Sequence, residues 1–129
     1  MTTIAKLMGA GVPATQAQCT NAGQPFLNQT AAGTNQATAY AVTSDFVVFG
    51  TVAASTGARL PAQNAVSMTA LAGDIYIVVN GGANALAIFP PVGGNFITLA
   101  ANASVSLPAG KTADLYCLGN NVWAASIGG

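Results

Sequence analysis

The sequence predicts an all-β fold: a β-sandwich or squat barrel of short antiparallel strands, preceded by an extended N-terminal arm. Three observations predict it. From Thr38 onward, short runs rich in Val, Ile, Thr and aromatic residues recur, the side chains that fit a pleated, half-buried surface. Gly, Asn, Pro or Ser separates each run from the next, the turn chemistry of sandwiches and barrels. Residues 1–36 lack both a helical and a strand period.

The arm is read as residues 1–36 and the β domain as residues 37–129. Ile4-Ala5-Lys6-Leu7-Met8 forms a short apolar stripe that Gly9, Gly11 and Pro13 interrupt. A helical turn or two fits within residues 4–18, where Pro13 is tolerated at a helix start. From Thr20 to Gln36 only Phe26 and Leu27 are large anchors. Such a segment orders against a neighbour more readily than alone, so Leu7, Met8, Val12, Phe26 and Leu27 are its expected partner contacts.

In the β domain the expected strands are Thr38–Thr43, Asp45–Val52, Ala58–Leu60, Val66–Leu71, Asp74–Asn80, Leu86–Pro90, Phe96–Leu99, Ser104–Leu107, Thr112–Leu118 and Val122–Ile127. Asn80-Gly81-Gly82 reads as a hairpin turn supplying positive φ, and Gly119-Asn120-Asn121 as a second. Pro90-Pro91 has no donor N–H and should end a strand or lie on an edge. A weak repeat at an offset of 47 matches Thr51-Val52-Ala53-Ala54 with Thr98-Leu99-Ala100-Ala101, and Leu60-Pro61-Ala62 with Leu107-Pro108-Ala109. It reads as two copies of one unit. No long heptads or β-helix repeats of a fibre shaft are evident.

Charge narrows the function. The 129 residues include six charged ones, Lys6, Asp45, Arg59, Asp74, Lys111 and Asp114, or 5%, against about 25% in ordinary domains. Net charge is zero, which favours association over colloidal repulsion. Nucleic-acid binding needs clustered Lys and Arg, and none cluster here. A membrane helix needs about 18–20 apolar residues in a row, and the longest candidate, Asp74 to Pro91, is broken at Asn80-Gly81-Gly82. The first residues lack the apolar run of a secretory signal.

No catalytic, cofactor-binding or metal-ligating residue is expected, and the chain does not read as an enzyme. With no His, no Ser, Cys or Thr has an imidazole to take its proton. Asp45, Asp74 and Asp114 are scattered, read as turn residues or partners of Arg59 and Lys111, not as a carboxylate pair. Cys19 and Cys117 are too few for a disulfide framework, and Cys117, in an apolar run, reads as a buried thiol. Tyr76, Tyr116 and Trp123 read as core packing, not as a sugar-stacking platform.

Between Asp45 and Ile127 the chain carries Gly57-Ala58-Arg59-Leu60-Pro61, Gly73-Asp74 leading into Val78-Val79-Asn80, Gly82-Ala83-Asn84-Ala85-Leu86, Phe89-Pro90-Pro91, Leu99-Ala100-Ala101-Asn102-Ala103, Ala109-Gly110-Lys111-Thr112-Ala113 and Trp123. On these motifs it resembles a group of small tailed-bacteriophage virion proteins. Lys6 to Ala14 is similar to the N-terminal segment of such proteins. The resemblance covers roughly two-thirds of the chain, rests on turns and strand ends, and implies a β-rich virion subunit with no catalytic residues.

Within that class the expectation is a capsid decoration (cement) protein that binds and stabilises the major capsid protein shell by non-covalent contacts. The alternative is a tail- or fibre-associated adhesion or carbohydrate-binding module. Expected partners are the major capsid protein and copies of the chain itself, as a trimer in preference to a dimer, without nucleic acid, membrane or cofactor. The expected location is the capsid exterior, after assembly in the host cytoplasm.

Overall fold

The structure, a computed structural model, describes residues 26–62 and 70–128. They are all-β, with no helix among them. The strands are β1 (Phe26–Thr30), β2 (Tyr40–Ala41), β3 (Phe46–Thr51), β4 (Gly57–Arg59), β5 (Ile75–Asn80), β6 (Leu86–Phe89), β7 (Asn95–Phe96), β8 (Val105–Leu107), β9 (Thr112–Gly119) and β10 (Val122–Gly128). The helical turns expected in 4–18, and all but the end of the strand expected at Val66–Leu71, lie outside the described residues.

Two mixed sheets result, a six-stranded one in the order β1-β3-β5-β9-β10-β7 and a four-stranded one in the order β2-β4-β6-β8. The first six strands alternate between the sheets, and β3 to β6 each lie parallel to the strand two places earlier. They therefore form three stacked coils. Antiparallel β8 and β9 close the stack, β10 follows β9 in a hairpin, and β7 adds to β10 in parallel.

This corrects the expected antiparallel pairing: five of the eight strand pairs are parallel. The strands nevertheless stack as coils although the sequence carries no β-helix repeat. Phe26 lies beside Val47 and Phe46 beside Ile77, so one coil takes about 20 residues and the next about 30, and no fixed sequence period marks them.

The coils stack at their corners. Backbone groups at a corner between sheets fall outside both ladders and need other partners. Ala31 N–H donates to Thr51 O (3.0 Å) and Gly81 N–H to Phe49 O (2.8 Å), while Asn84 Nδ2 donates to Val52 O (2.9 Å). The Asn80 side chain is fully buried. Its amide donates to Asn84 O (2.8 Å) and to Leu107 O (2.9 Å) and accepts from Gly82 N–H (3.0 Å). Leu107 belongs to β8, so one side chain joins both sheets.

Asn80-Gly81-Gly82 is accordingly no hairpin, since β5 and β6 lie in different sheets. Nor is positive φ its requirement, because Gly81 and Gly82 both lie outside that region. Gly82 is needed for room: a Cβ there would stand 2.7 Å from Val52. Gly119-Asn120-Asn121 does form the expected hairpin, with φ of 52° and 60° at the two Asn residues, as a type I′ turn requires. β6 ends at Phe89, immediately before Pro90-Pro91.

Alternation along each strand builds one core between the sheets. Val47, Phe49, Tyr76, Val78, Leu115 and Trp123 come from the larger sheet, and Ala58, Leu86, Ile88 and Leu107 from the smaller. Each large side chain contributes about 1.5–3 kcal/mol by leaving water. In the first coil Tyr40 of β2 stands edge-on to Phe49 (5.1 Å) and donates its hydroxyl to Gln29 Oε1 of β1 (2.9 Å), linking the sheets again.

Phe26–Thr30, read from sequence as arm, form β1. Asn28 has a φ of 56° and the pairing register shifts around it, which erases the alternation a strand would otherwise show. The 47-residue repeat matches β3, β4 and β5 with β7, β8 and β10, and each pair occupies the same sheet. The units nevertheless approach β9 from opposite edges, so they share an order of elements and not an arrangement.

Replacing Asn80 by Ala withdraws two donors and an acceptor from a buried corner, which should cost about 2–3 kcal/mol and lower Tm by roughly 10 °C. Asn84→Ala, losing one side-chain bond at an exposed position, should cost about 1 kcal/mol or less. Thermal melts followed by circular dichroism check both, and equal midpoints for Asn80→Ala and the parent chain would refute the role assigned to this amide.

Candidate functional site

The feature that stands out is the outer face of the six-stranded sheet. One face of each central strand builds the core, and the other should be polar if water covers it. Here it is apolar. Phe46 and Val48 on β3, Ile75, Ile77 and Val79 on β5, Tyr116 and Leu118 on β9, and Val122 and Ala124 on β10 all alternate with buried residues. All but Leu118 are half-buried; Leu118 is exposed. Register sets them in rows: Phe46, Ile77, Asp114 and Ser126 in one, Val48, Val79 and Thr112 in a second, Ile75, Tyr116 and Ala124 in a third. Asp114 is the one charged residue in these rows.

Of the expected contact residues, Leu7, Met8 and Val12 lie outside the described residues. Phe26 is placed by its backbone, opposite Val47 at the start of β1. Leu27, the next residue, is 56% exposed and lies on the edge strand of the same sheet. The rows behind it were missed in the sequence. Their signal was the pair of continuous apolar runs, Phe46-Val47-Val48-Phe49 and Ile75-Tyr76-Ile77-Val78-Val79, the mark of strands covered on both faces.

A second feature is a cleft of about 400 Å³ at one end of the four-stranded sheet, lined among the described residues by Val42, Arg59, Leu60, Pro61, Pro91 and Val92 with small neighbours. Its walls are tied by Arg59 Nη1 donating to Gln36 O (3.2 Å) and Gln36 Nε2 donating to Pro90 O (2.7 Å). One guanidinium in apolar walls can hold a carboxylate.

The titratable groups of the interior serve packing. Tyr76 and Trp123 stand edge to face with centroids 5.4 Å apart, both buried, so they present no stacking platform to a sugar. Burial, with the negative charges of Asp74 and Asp45 and the neighbouring Cys117, pushes the Tyr76 phenol up to about 12. Burial likewise pushes up the Cys117 thiol, with Asp74 adding and a backbone hydrogen bond at Gly119 opposing. Asp74 accepts from Leu71 N–H (3.0 Å) at the turn into β5. Among the described residues no cluster of His, Cys, Asp or Glu could hold a metal ion, and no helix is long and apolar enough to cross a membrane.

No protein-family model, curated protein or solved structure matches the chain.

Both raised groups are neutral at low pH, and the unfolded chain loses their protons first. The stability they support is therefore complete below about pH 9 and declines as pH rises through the thiol range and on toward 12. Denaturant midpoints measured against pH should fall across this window, and Tyr76→Phe should flatten the limb above pH 10. In Cys19→Ser protein, Cys117 should react with a water-soluble disulfide reagent only as fast as the fold opens; prompt reaction in the native state would contradict its burial.

Proposed function

We propose that this chain is a structural protein of a tailed-phage virion, and specifically a capsid decoration protein that holds the shell by non-covalent contacts. It has no catalytic role in this reading. It acts as a homo-oligomer, a trimer in preference to a dimer, on the capsid exterior after assembly in the host cytoplasm, with the major capsid protein as its second partner. The observation that carries the reading is the apolar outer face of the six-stranded sheet, on a chain of 5% charged residues. Contiguous apolar surface marks sites of protein association. The two sheets act as a compact sandwich, and residues 1–25 act as an arm whose Leu7, Met8 and Val12 reach a neighbour, with Phe26 and Leu27 at its root.

The stacked parallel coils favour a second reading, a tail- or fibre-associated module, because solenoids of this kind extend by adding coils. The position of the chain in an electron-microscopy map of purified particles separates the two, and its absence from particles would remove both. With so few charges at the contact, docking should depend weakly on ionic strength. Particles washed at rising salt should keep the chain as long as the shell survives. Quantitative release at moderate salt, with intact shells, would show that charges hold it and that the apolar face does not.

A further inference from the structure

The outer face of the six-stranded sheet has a specific flaw for a surface that must be covered: a carboxylate in its middle. Asp114 lies between Ile77 and Ser126 in the row that begins at Phe46. It is half-buried, and among the described residues no hydrogen bond or ion pair reaches its carboxylate. Covering it with an apolar surface would strand a charge, at a cost of several kcal/mol. Laying a second copy's sheet on it about a two-fold axis would bring two like charges together. The occupant must be apolar and must carry one cation.

The chain itself has three cations. Arg59 lies on β4 of the other sheet, bonded to Gln36 O, and Lys111 already has an interaction of its own. The third is Lys6, set within Ile4-Ala5-Lys6-Leu7-Met8. That segment has the composition the face requires, with apolar residues on both sides of one ammonium. Residues 1–25 lead directly into β1, the edge strand of the same sheet, on which Leu27 is exposed.

We propose that this face seats residues 4–12 of a second copy of the chain, with Lys6 paired to Asp114 and Ile4, Leu7 and Met8 covering the rows around Ile77 and Tyr116. The proposal rests on the homo-oligomer reading above and names the contact that builds it. Arm exchange of this kind makes each copy both donor and acceptor, so it builds a symmetric oligomer without a second surface when its rotation closes.

The test uses full-length chains in a Cys19→Ser background. Chains carrying Lys6→Cys are co-expressed with chains carrying Asp114→Cys, and mild oxidation should join one of each kind by a disulfide. No mixed link, a link that forms only within a single chain carrying both substitutions, or a link between two Asp114→Cys chains would each overturn the proposal; the last two would place the chain's own segment, or a second sheet, on the face. A charge exchange tests the pairing without cysteines. Lys6→Asp or Asp114→Lys alone should weaken self-association about five-fold, and the two together should restore it, with unchanged circular dichroism throughout. Equal weakening in the double variant would also overturn it. Sedimentation separates this failure from that of the underlying reading: an intact oligomer without the mixed link removes the arm contact alone, and a monomeric parent chain removes both.

Discussion

The fold depends on the corner at Asn80–Gly82. A chain that steps from one sheet to another leaves peptide groups outside both ladders, and each coil must supply them with partners before the next can stack. Asn80 does this with a side chain that satisfies itself completely while joining β5 to β8 across the core. Gly82 lets the corner press against Val52, where a Cβ would meet it at 2.7 Å. The corner thereby fixes the position of β5, and β5 is the strand on which parallel β3 and antiparallel β9 both register.

From that position the two surfaces of β5 follow. Tyr76 and Val78 point into the core, and Ile75, Ile77 and Val79 point away from it. A strand of Val and Ile at the centre of a sheet is stable when both faces are covered, and the described residues cover one. The scarcity of charge fits the same arrangement. Asp45 and Asp74 precede β3 and β5, Lys111 precedes β9, and Arg59 ends β4, so four of the charges sit at corners where water or a turn can solvate them. Among the described residues, Asp114 is the one charge in the interior of a strand, on the apolar face.

Strands were legible in the sequence where local chemistry marks them. Asp74–Asn80, Thr112–Leu118 and Val122–Ile127 are apolar runs bounded by Gly, Asn or Lys, and the Asn120-Asn121 turn has the backbone its residues require. Pairing was not legible, because parallel neighbours are joined through the other sheet and no turn announces them. Asn80-Gly81-Gly82 was misread for that reason: the same residues that make a hairpin also make a tight corner, and the difference lies in what presses against Gly82. β1 was hidden by Asn28, whose positive φ breaks the alternation. The candidate site was half visible. Leu27 was identified and is exposed, whereas Tyr116, read as core, lies in the outer rows of β9, and the rows of β3 and β5 were not singled out.

The edges of the two sheets differ from the outer face in what they offer a neighbour. The outermost strands of the two sheets are β1, β7, β2 and β8. β7 and β2 have two residues each and β8 has three, too short to template a long added strand. β1 is longer, but Asn28 bends it out of register, and Gln29 Nε2 donates to Leu27 O (2.8 Å), occupying one of its carbonyls. Short strands and bulges are the ordinary means of blunting an edge. A neutral β protein without them would add strands indefinitely, since it has few charges to repel a neighbour. With its edges blunted and one broad face apolar, this chain offers side chains on that face more than free backbone at its edges, and side-chain packing, unlike backbone pairing, is selective for the surface it meets.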